Sequence, residues 1–151
     1  MIDALYEINN NNLIAILFGG ENDNGIARKR IIEYQLENQV ILAGYCEEIN
    51  DYWQYADLNA LFSINDGFGL SIIEGYMNGV PSIAFADLDA IEDVYAAETL
   101  TEIPERNLSV VVKFLNRALD RKWNKLEIEK FGKSFSIEIM AKQYVDIYKK
   151  I

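Results

Sequence analysis

Residues 62–81 read FSINDGFGLSIIEGYMNGVP, and this segment is the most informative one for predicting the fold. It joins an apolar strand at 58–64 to an apolar helix at 69–78 through a loop with two glycines. Glycine lets a backbone approach a ligand closely, and the unbonded N–H groups of a helix's first turn, at the positive end of its dipole, attract anions. The sequence therefore predicts a phosphate-binding junction, flanked by Asp66 in the loop and Glu74 on the helix.

The rest of the chain alternates between strand-like and helix-like segments. We expect further strands at 13–18, 39–43, 82–86 and 98–103, and further helices at 2–8, 26–36, 47–56, 90–97, 107–120, 123–131 and 136–149. This alternation predicts one α/β domain in which a parallel sheet is covered by helices on both faces. Right-handed crossovers would give this sheet a doubly wound, Rossmann-like topology. Extra helices follow it at the C-terminus. Ligands of such a fold bind at the carboxyl ends of the strands.

Three loops follow predicted strands and should meet at that edge of the sheet. They carry Gly19 and Gly20, then Tyr45 and Cys46, and finally Asp66. Tyr45 and Cys46 offer backbone contacts and a stacking surface for a nucleotide base, although a plain turn explains them equally well. Loop glycines often only shape a turn, and Asp66 at a helix start is also typical of a capping residue.

Composition narrows the possible chemistry. The 151 residues are 50% hydrophobic, enough for one substantial core. The chain has no histidine and one cysteine, which excludes Ser-His, Cys-His and histidine-zinc sites, and we expect neither a metal nor a cofactor. No apolar run is long enough to span a bilayer and the N-terminus lacks a secretory pattern, so a cytoplasmic protein is expected.

Charge is distributed unevenly along the chain. Residues 1–112 hold four basic and 19 acidic side chains, whereas residues 113–151 hold ten basic and five acidic ones. An acidic body repels a phosphate backbone, so nucleic acid is not an expected partner. The basic residues of 113–151 are suited to docking on an acidic surface, and an ordinary solvent-exposed helix face explains them as well.

The 62–81 segment resembles the donor site of group 1 retaining glycosyltransferases, which have the GT-B fold. Their pattern contains S-x-x-E-G-F-G-L-x-x-x-E-A followed, after three further residues, by G-x-P. Eight positions match this pattern in register, while Asp66 replaces the first Glu and Gly75 a usual Ala: Ser63, Gly67, Phe68, Gly69, Leu70, Glu74, Gly79 and Pro81. The match is specific because it is long. The strands at 13–18, 40–44 and 55–63 and the final helix also resemble segments of that family.

The resemblance implies roles for the residues of the junction. Glu74 would accept hydrogen bonds from the ribose hydroxyls of a nucleotide, and Asp66 would face the donor sugar, so these two are the candidate catalytic residues. Seven residues would bind the donor and its diphosphate: Gly19, Gly20, Gly67, Phe68, Gly69, Leu70 and Ser71. The N–H groups of the last three would stabilise the leaving group. Packing is an alternative for Phe68, and stabilisation of the helix dipole is an alternative for Glu74.

The resemblance also implies what the whole protein does. The chain would be the donor-binding half of a two-domain enzyme resembling a hexosyltransferase. The enzyme would transfer a sugar from a nucleotide-diphosphate sugar to a glycan, lipid or protein acceptor with retention of the anomeric configuration. Such reactions occur in polysaccharide biosynthesis. The acceptor domain and first strand would be absent, leaving the fragment inactive alone. A non-catalytic scaffold or activator module and a GT-B sugar-nucleotide epimerase are the alternatives. A membrane surface is a further candidate partner of the full protein.

The last helix carries a broad apolar face. Its members recur at helical spacing: Ile137, Met140, Ala141, Tyr144, Ile147 and Tyr148. In GT-B enzymes the corresponding helix supports the N-terminal domain. We expect this face either to pack on the sheet domain or to be exposed and to drive self-association, which makes a homodimer a candidate assembly.

Overall fold

The computed structural model describes residues 1–20 and 25–150 of the chain. In these residues the element order is α1 Ile2–Ile8, β1 Ala15–Phe18, α2 Ile26–Glu33, β2 Val40–Gly44, α3 Asn50–Trp53, β3 Asn59–Leu61, α4 Leu70–Met77, β4 Ser82–Phe85, α5 Ile91–Val94, β5 Leu100–Ile103, α6 Leu108–Asp120, α7 Lys125–Lys133 and α8 Ile137–Tyr148. Every predicted helix and strand is present, which confirms the α/β class. Residues 21–24, part of the predicted glycine loop, lie outside the described residues.

Three predicted elements are much shorter than expected. The predicted helix at 90–97 is helical only over Ile91–Val94, because Tyr95 after it is extended. The predicted helix at 47–56 is helical only over Asn50–Trp53, because its flanks close i→i+3 turns, as between the Ala56 N–H and the Trp53 carbonyl at 3.1 Å. The predicted strand at 58–64 is reduced to Asn59–Leu61, and β4 is its one pairing partner among the described strands. Apolar spacing alone could not show these limits because hydrogen-bond partners set them.

The strands form two parallel sheets instead of the single expected sheet. One sheet has the order β1-β2 and the other has the order β3-β4-β5, and β1 and β3 do not pair in the described residues. In the common doubly wound order 3-2-1-4-5-6, the central strand is the one that precedes the first helix. Among the described residues no strand precedes α1, which begins at Ile2.

Helix α1 links the two sheets. Ala4 is buried in the large core formed around β4, while Leu5 is buried in the small core formed around β1 and β2. Every residue of β4 is buried, as expected for a strand with neighbours on both sides and helices on both faces. The burial of β4 and the shared packing of α1 place the main core around the three-stranded sheet.

Helix α4 is held against this core by α7. Gly132 of α7 lies so close to α4 that a Cβ atom there would be 2.4 Å from the Met77 backbone nitrogen. Tyr76 of α4 is fully buried beside Ser82 and Thr99, and burial raises the pKa of its hydroxyl far above the ordinary value. The helix that carries Glu74 is therefore fixed on two sides.

Helix α8 packs very little on the rest of the chain. None of its residues is buried, and Ile137 is 74% exposed. The predicted apolar face is thus exposed, which is one of the two outcomes expected from the sequence. No helix among the described residues has the length and apolar character needed to cross a membrane.

We predict that removing residues 136–151 leaves the domain folded and lowers its tendency to associate. Because α8 buries no side chain, its loss should shift the melting temperature by less than about 3 °C, whereas an apolar patch of this kind favours association. Sedimentation velocity over a concentration series checks the association. A shortened chain that unfolds, or associates as the full chain does, would contradict this prediction.

Candidate functional site

The predicted phosphate-binding junction is closed by a hydrogen bond. The Gly69 backbone N–H donates to Oδ1 of Asp66 at 2.6 Å, so the Asp66 side chain caps the turn that leads into α4. The N-cap residue of α4 is Gly69 itself, so this bond closes the loop before the helix and is not a bond to the first-turn N–H groups of α4. The same bond occupies the Gly69 N–H, which was one of the expected diphosphate donors. The role of Asp66 towards a sugar remains a prediction.

The structure accounts differently for the presence of glycine at the two loop positions, Gly67 and Gly69. Gly69 has a φ of +70°, and a Cβ atom there would lie 3.3 Å from the Ala90 Cβ, so both conformation and space require glycine. Gly67 does not have a left-handed φ, and a Cβ atom there would meet nothing within 4 Å. The fold thus explains Gly69 fully but leaves Gly67 unexplained, as expected of a position where a ligand approaches the backbone.

We predict that replacing each of these two glycines by alanine affects a different property of the protein. Gly69→Ala should destabilise the domain by about 1–3 kcal/mol, because it forces a strained backbone into a crowded position. Gly67→Ala should leave the free energy of unfolding within about 0.5 kcal/mol of the wild type and should weaken nucleotide binding. Urea denaturation and calorimetry measure the two quantities, and a destabilised Gly67→Ala variant with normal nucleotide affinity would contradict the assignment.

The first turn of α4 keeps two backbone donors unoccupied. No described residue accepts a hydrogen bond from the N–H of Leu70 or Ser71. Leu70 and Phe68 have exposed side chains, so the approach to these donors is open. The carbonyl of Ser71 accepts a bond from the Asn59 amide at 3.1 Å, which fixes this turn to the start of β3. Two oriented donors at a helix N-terminus are suited to a phosphate group.

Glu74 lies one turn further along α4. Its side chain is half-buried, and no described residue donates a hydrogen bond or provides an ion-pair partner to its carboxylate. A half-buried carboxylate is usually paired, because partial desolvation raises the free energy of the charged form. Glu74 therefore has unused acceptor capacity beside the unoccupied donors of Leu70 and Ser71.

The other predicted site residues follow β1 and β2. The Gly19 N–H donates to the Gly44 carbonyl at 2.8 Å, which holds the ends of these strands together. Gly20 is exposed, Tyr45 is 82% exposed and Cys46 is half-buried. These residues form one group, the Asp66 junction forms another, and no described contact joins them directly.

Helix α3 connects the two groups. Tyr52 packs edge-on against Phe18 at the end of β1, with ring centroids 5.0 Å apart. The next residue, Trp53, is buried, and its ring lies 3.5 Å from a Cβ built on Gly75 of α4. The short helix α3 thus contacts the end of β1 and helix α4, but a common crevice remains a prediction.

An arginine not singled out from the sequence ties the junction to its neighbours. Nε and Nη2 of Arg106 donate to Asp87 at 2.8 and 2.9 Å, and Nη1 donates to the Ser63 carbonyl at 3.0 Å. These hydrogen bonds and the positive charge lower the pKa of Asp87. The signal was available: Arg106 follows a predicted strand, so topology places it at the same edge as the other loops. The described residues contain no group of three or more potential metal ligands.

Comparison with known proteins agrees with this architecture. The family model described as glycosyl transferases group 1 matches residues 1–129.

The chain belongs to the group 1 glycosyltransferases.

A curated relative of this group 1 chain is the poly(glycerol-phosphate) alpha-glucosyltransferase of Bacillus subtilis (strain 168). It is 35% identical over 69 residues, which are 46% of this chain and 10% of the relative. A solved glycosyltransferase from Rickettsia africae ESF-5 has a TM-score of 0.84 at 20% identity, covering 99% of this chain and 42% of that one. Anabaena Alr3699/HepE in complex with UDP has a TM-score of 0.81 at 20% identity, covering 99% and 44%. These structures show the fold alone, and the chain spans less than half of each of the three proteins.

Proposed function

We propose that this chain is the donor-binding half of a retaining glycosyltransferase that takes its sugar from a nucleotide-diphosphate donor. The observation that carries the proposal is the junction of β3 and α4, where two unoccupied N–H groups lie beside an unpaired carboxylate, Glu74. Membership of the group 1 family supports sugar transfer as the chemistry. A relative crystallised with UDP supports a nucleoside diphosphate as the ligand class.

In the proposed reaction the sugar's anomeric carbon loses its bond to the diphosphate oxygen and gains one to an acceptor oxygen. Negative charge grows on the departing diphosphate, and the proton of the acceptor hydroxyl passes to the diphosphate oxygen that leaves. The N–H groups of Leu70 and Ser71 would stabilise that charge, a contribution of about 2.7–4 kcal/mol for each well-placed donor. Glu74 would accept hydrogen bonds from the ribose hydroxyls and thereby orient the nucleotide. No metal is required for these steps.

The split sheet supports the proposed domain organisation. β1 and β3 belong to separate sheets, and in the doubly wound order a central strand lies between the strands that correspond to them; we assign that strand to a segment preceding α1. The acceptor domain would precede that strand. We further propose a cytoplasmic enzyme that works at a membrane surface in polysaccharide synthesis.

Product analysis tests the proposed function. The intact protein is incubated with UDP-, GDP- and ADP-hexoses, with and without extracts containing glycan or lipid acceptors, in the presence and absence of EDTA. We expect sugar transfer with one donor, retention at the anomeric carbon by NMR, and no effect of EDTA. Conversion of the donor to an epimer without an acceptor would favour a sugar-nucleotide epimerase. No conversion of any donor would contradict the proposal.

One observation favours a non-catalytic scaffold as a second candidate. Asp66 is engaged in a local capping bond, and it is one methylene shorter than the usual Glu. Asp66→Asn separates the two roles, because the amide oxygen of asparagine can accept the same hydrogen bond from the Gly69 N–H but carries no charge. Under the enzyme proposal this variant keeps its melting temperature and loses sugar transfer. Under the scaffold proposal neither wild type nor variant transfers sugar, and both bind the partner protein equally.

A further inference from the structure

The Arg106 side chain joins the carboxyl ends of three neighbouring strands. Arg106 follows β5 in the chain. It makes a bidentate ion pair with Asp87, which follows β4, and it donates a hydrogen bond to the carbonyl of Ser63, which follows β3. Its guanidinium lies 4.2 Å from the centroid of the Phe85 ring, which stacks it in place. We call Arg106, Asp87, Ser63 and Phe85 the strand-end clamp.

The strand-end clamp holds the base of the junction loop. Ser63 is the first residue of that loop, and the Asp66–Gly69 hydrogen bond closes its far end. Within the described contacts, the exposed residues between these points, Ile64, Asn65, Gly67 and Phe68, make no hydrogen bond. The loop shape therefore depends on its two ends, and Arg106 supplies the tie at one of them.

The clamp suits local positioning better than global stability. Ion pairs between exposed side chains rarely add measurable stability, and the Asp87 side chain is 60% exposed. Its geometry is instead specific: a planar guanidinium can bind a carboxylate through two bonds, stack on an aromatic ring and reach a carbonyl at once, which an ammonium group cannot do. We propose that Arg106 is a positioning residue that fixes the 63–69 loop for donor binding, an inference that rests on the proposed function.

The chain offers a matched control for this inference. Arg121 also donates to a backbone carbonyl, that of Ala97 at 2.9 Å, and its guanidinium lies 4.0 Å from the Trp123 ring. Ala97 precedes β5, so this similar arrangement lies at the amino end of the sheet, away from the junction. Arg121→Gln removes a carbonyl hydrogen bond and a ring contact like those of Arg106, without a carboxylate fork, from a place remote from the loop.

The test combines backbone dynamics with nucleotide affinity. Backbone ¹⁵N order parameters of residues 64–68 are measured without ligand, and affinities for UDP, GDP and ADP are measured by calorimetry on the intact protein. In Arg106→Gln we expect the loop order parameters to fall and the affinity for whichever diphosphate the wild type binds to drop about ten-fold, with little change in melting temperature. Arg106→Lys should recover part of that affinity, and Arg121→Gln should leave both readouts at wild-type values.

The outcomes separate this inference from the function on which it rests. Unchanged loop order in Arg106→Gln, or increased motion with unchanged nucleotide affinity, would overturn the positioning role. A wild type that binds none of the three diphosphates would overturn the proposed function and donor positioning with it. The ligand-free order parameters would still show whether Arg106 holds the loop.

Discussion

Gly132→Ala is expected to destabilise the domain by about 3 kcal/mol, which lowers the melting temperature by roughly 6–12 °C. The added Cβ would lie 2.4 Å from the Met77 nitrogen and 2.5 Å from the Tyr76 carbonyl carbon, and backbone atoms cannot move aside as a flexible side chain can. The two helices must therefore separate, which loosens the contact of α4 with its core. Thermal denaturation followed by circular dichroism measures the effect.

Gly75→Ala is the matched control, because it places the same methyl group in a helix of the same pair. A Cβ at Gly75 would lie 3.5 Å from its nearest neighbours, which is ordinary van der Waals contact. Alanine has the higher helix propensity, so this variant should be more stable than the wild type by about 0.5–1 kcal/mol. Equal melting temperatures for the two variants would contradict the described packing of α4 on α7.

Glu74→Ala is expected to lower kcat/KM for sugar transfer by the intact protein roughly 100-fold, because it removes charged hydrogen-bond acceptors from the nucleotide. Its stability should be unchanged or slightly higher, since no described residue pairs with this carboxylate and alanine favours the helix. Steady-state kinetics and thermal denaturation on the same preparation give both values.

Glu129→Ala serves as the control for Glu74→Ala. Glu129 is also a half-buried carboxylate at the fifth position of its helix, but it pairs with Lys133. Its removal should leave kcat/KM unchanged and reduce stability by at most about 1 kcal/mol. A Glu74→Ala enzyme with near-wild-type turnover would refute the assigned role, and equal losses in both variants would show a general structural effect.

Hydrophobic spacing predicted the element order because apolar residues recur at a different spacing along the sequence in strands than in helices. The helix at 69–78 and the strand at 82–86 lie almost where expected. The split between β1 and β3 was not predictable in this way, since strand pairing depends on which segments are present to fill the sheet. The close approach of Gly132 to α4 likewise depends on residues more than fifty positions away.

The candidate site was predictable where it is local in sequence. The loop glycines, Asp66 and Glu74 lie within one strand-turn-helix unit, so their spacing alone predicted a phosphate-binding junction. That same spacing could not separate Gly69, which the turn requires, from Gly67, which it does not. Arg106 was missed because its partners, Ser63 and Asp87, are 43 and 19 residues distant and meet it only in the folded sheet.

The central claim is that the start of α4 binds the diphosphate of a sugar nucleotide, and amide chemical shifts test it most directly. ¹H–¹⁵N spectra of the intact protein are recorded while UDP, GDP or ADP is added. We predict that one of these ligands moves the Leu70 and Ser71 amide signals most, followed by Gly67, and leaves α8 unchanged. Saturable binding that shifts other amides but not Leu70 and Ser71, or no shift at millimolar concentrations of any of the three, would contradict the account.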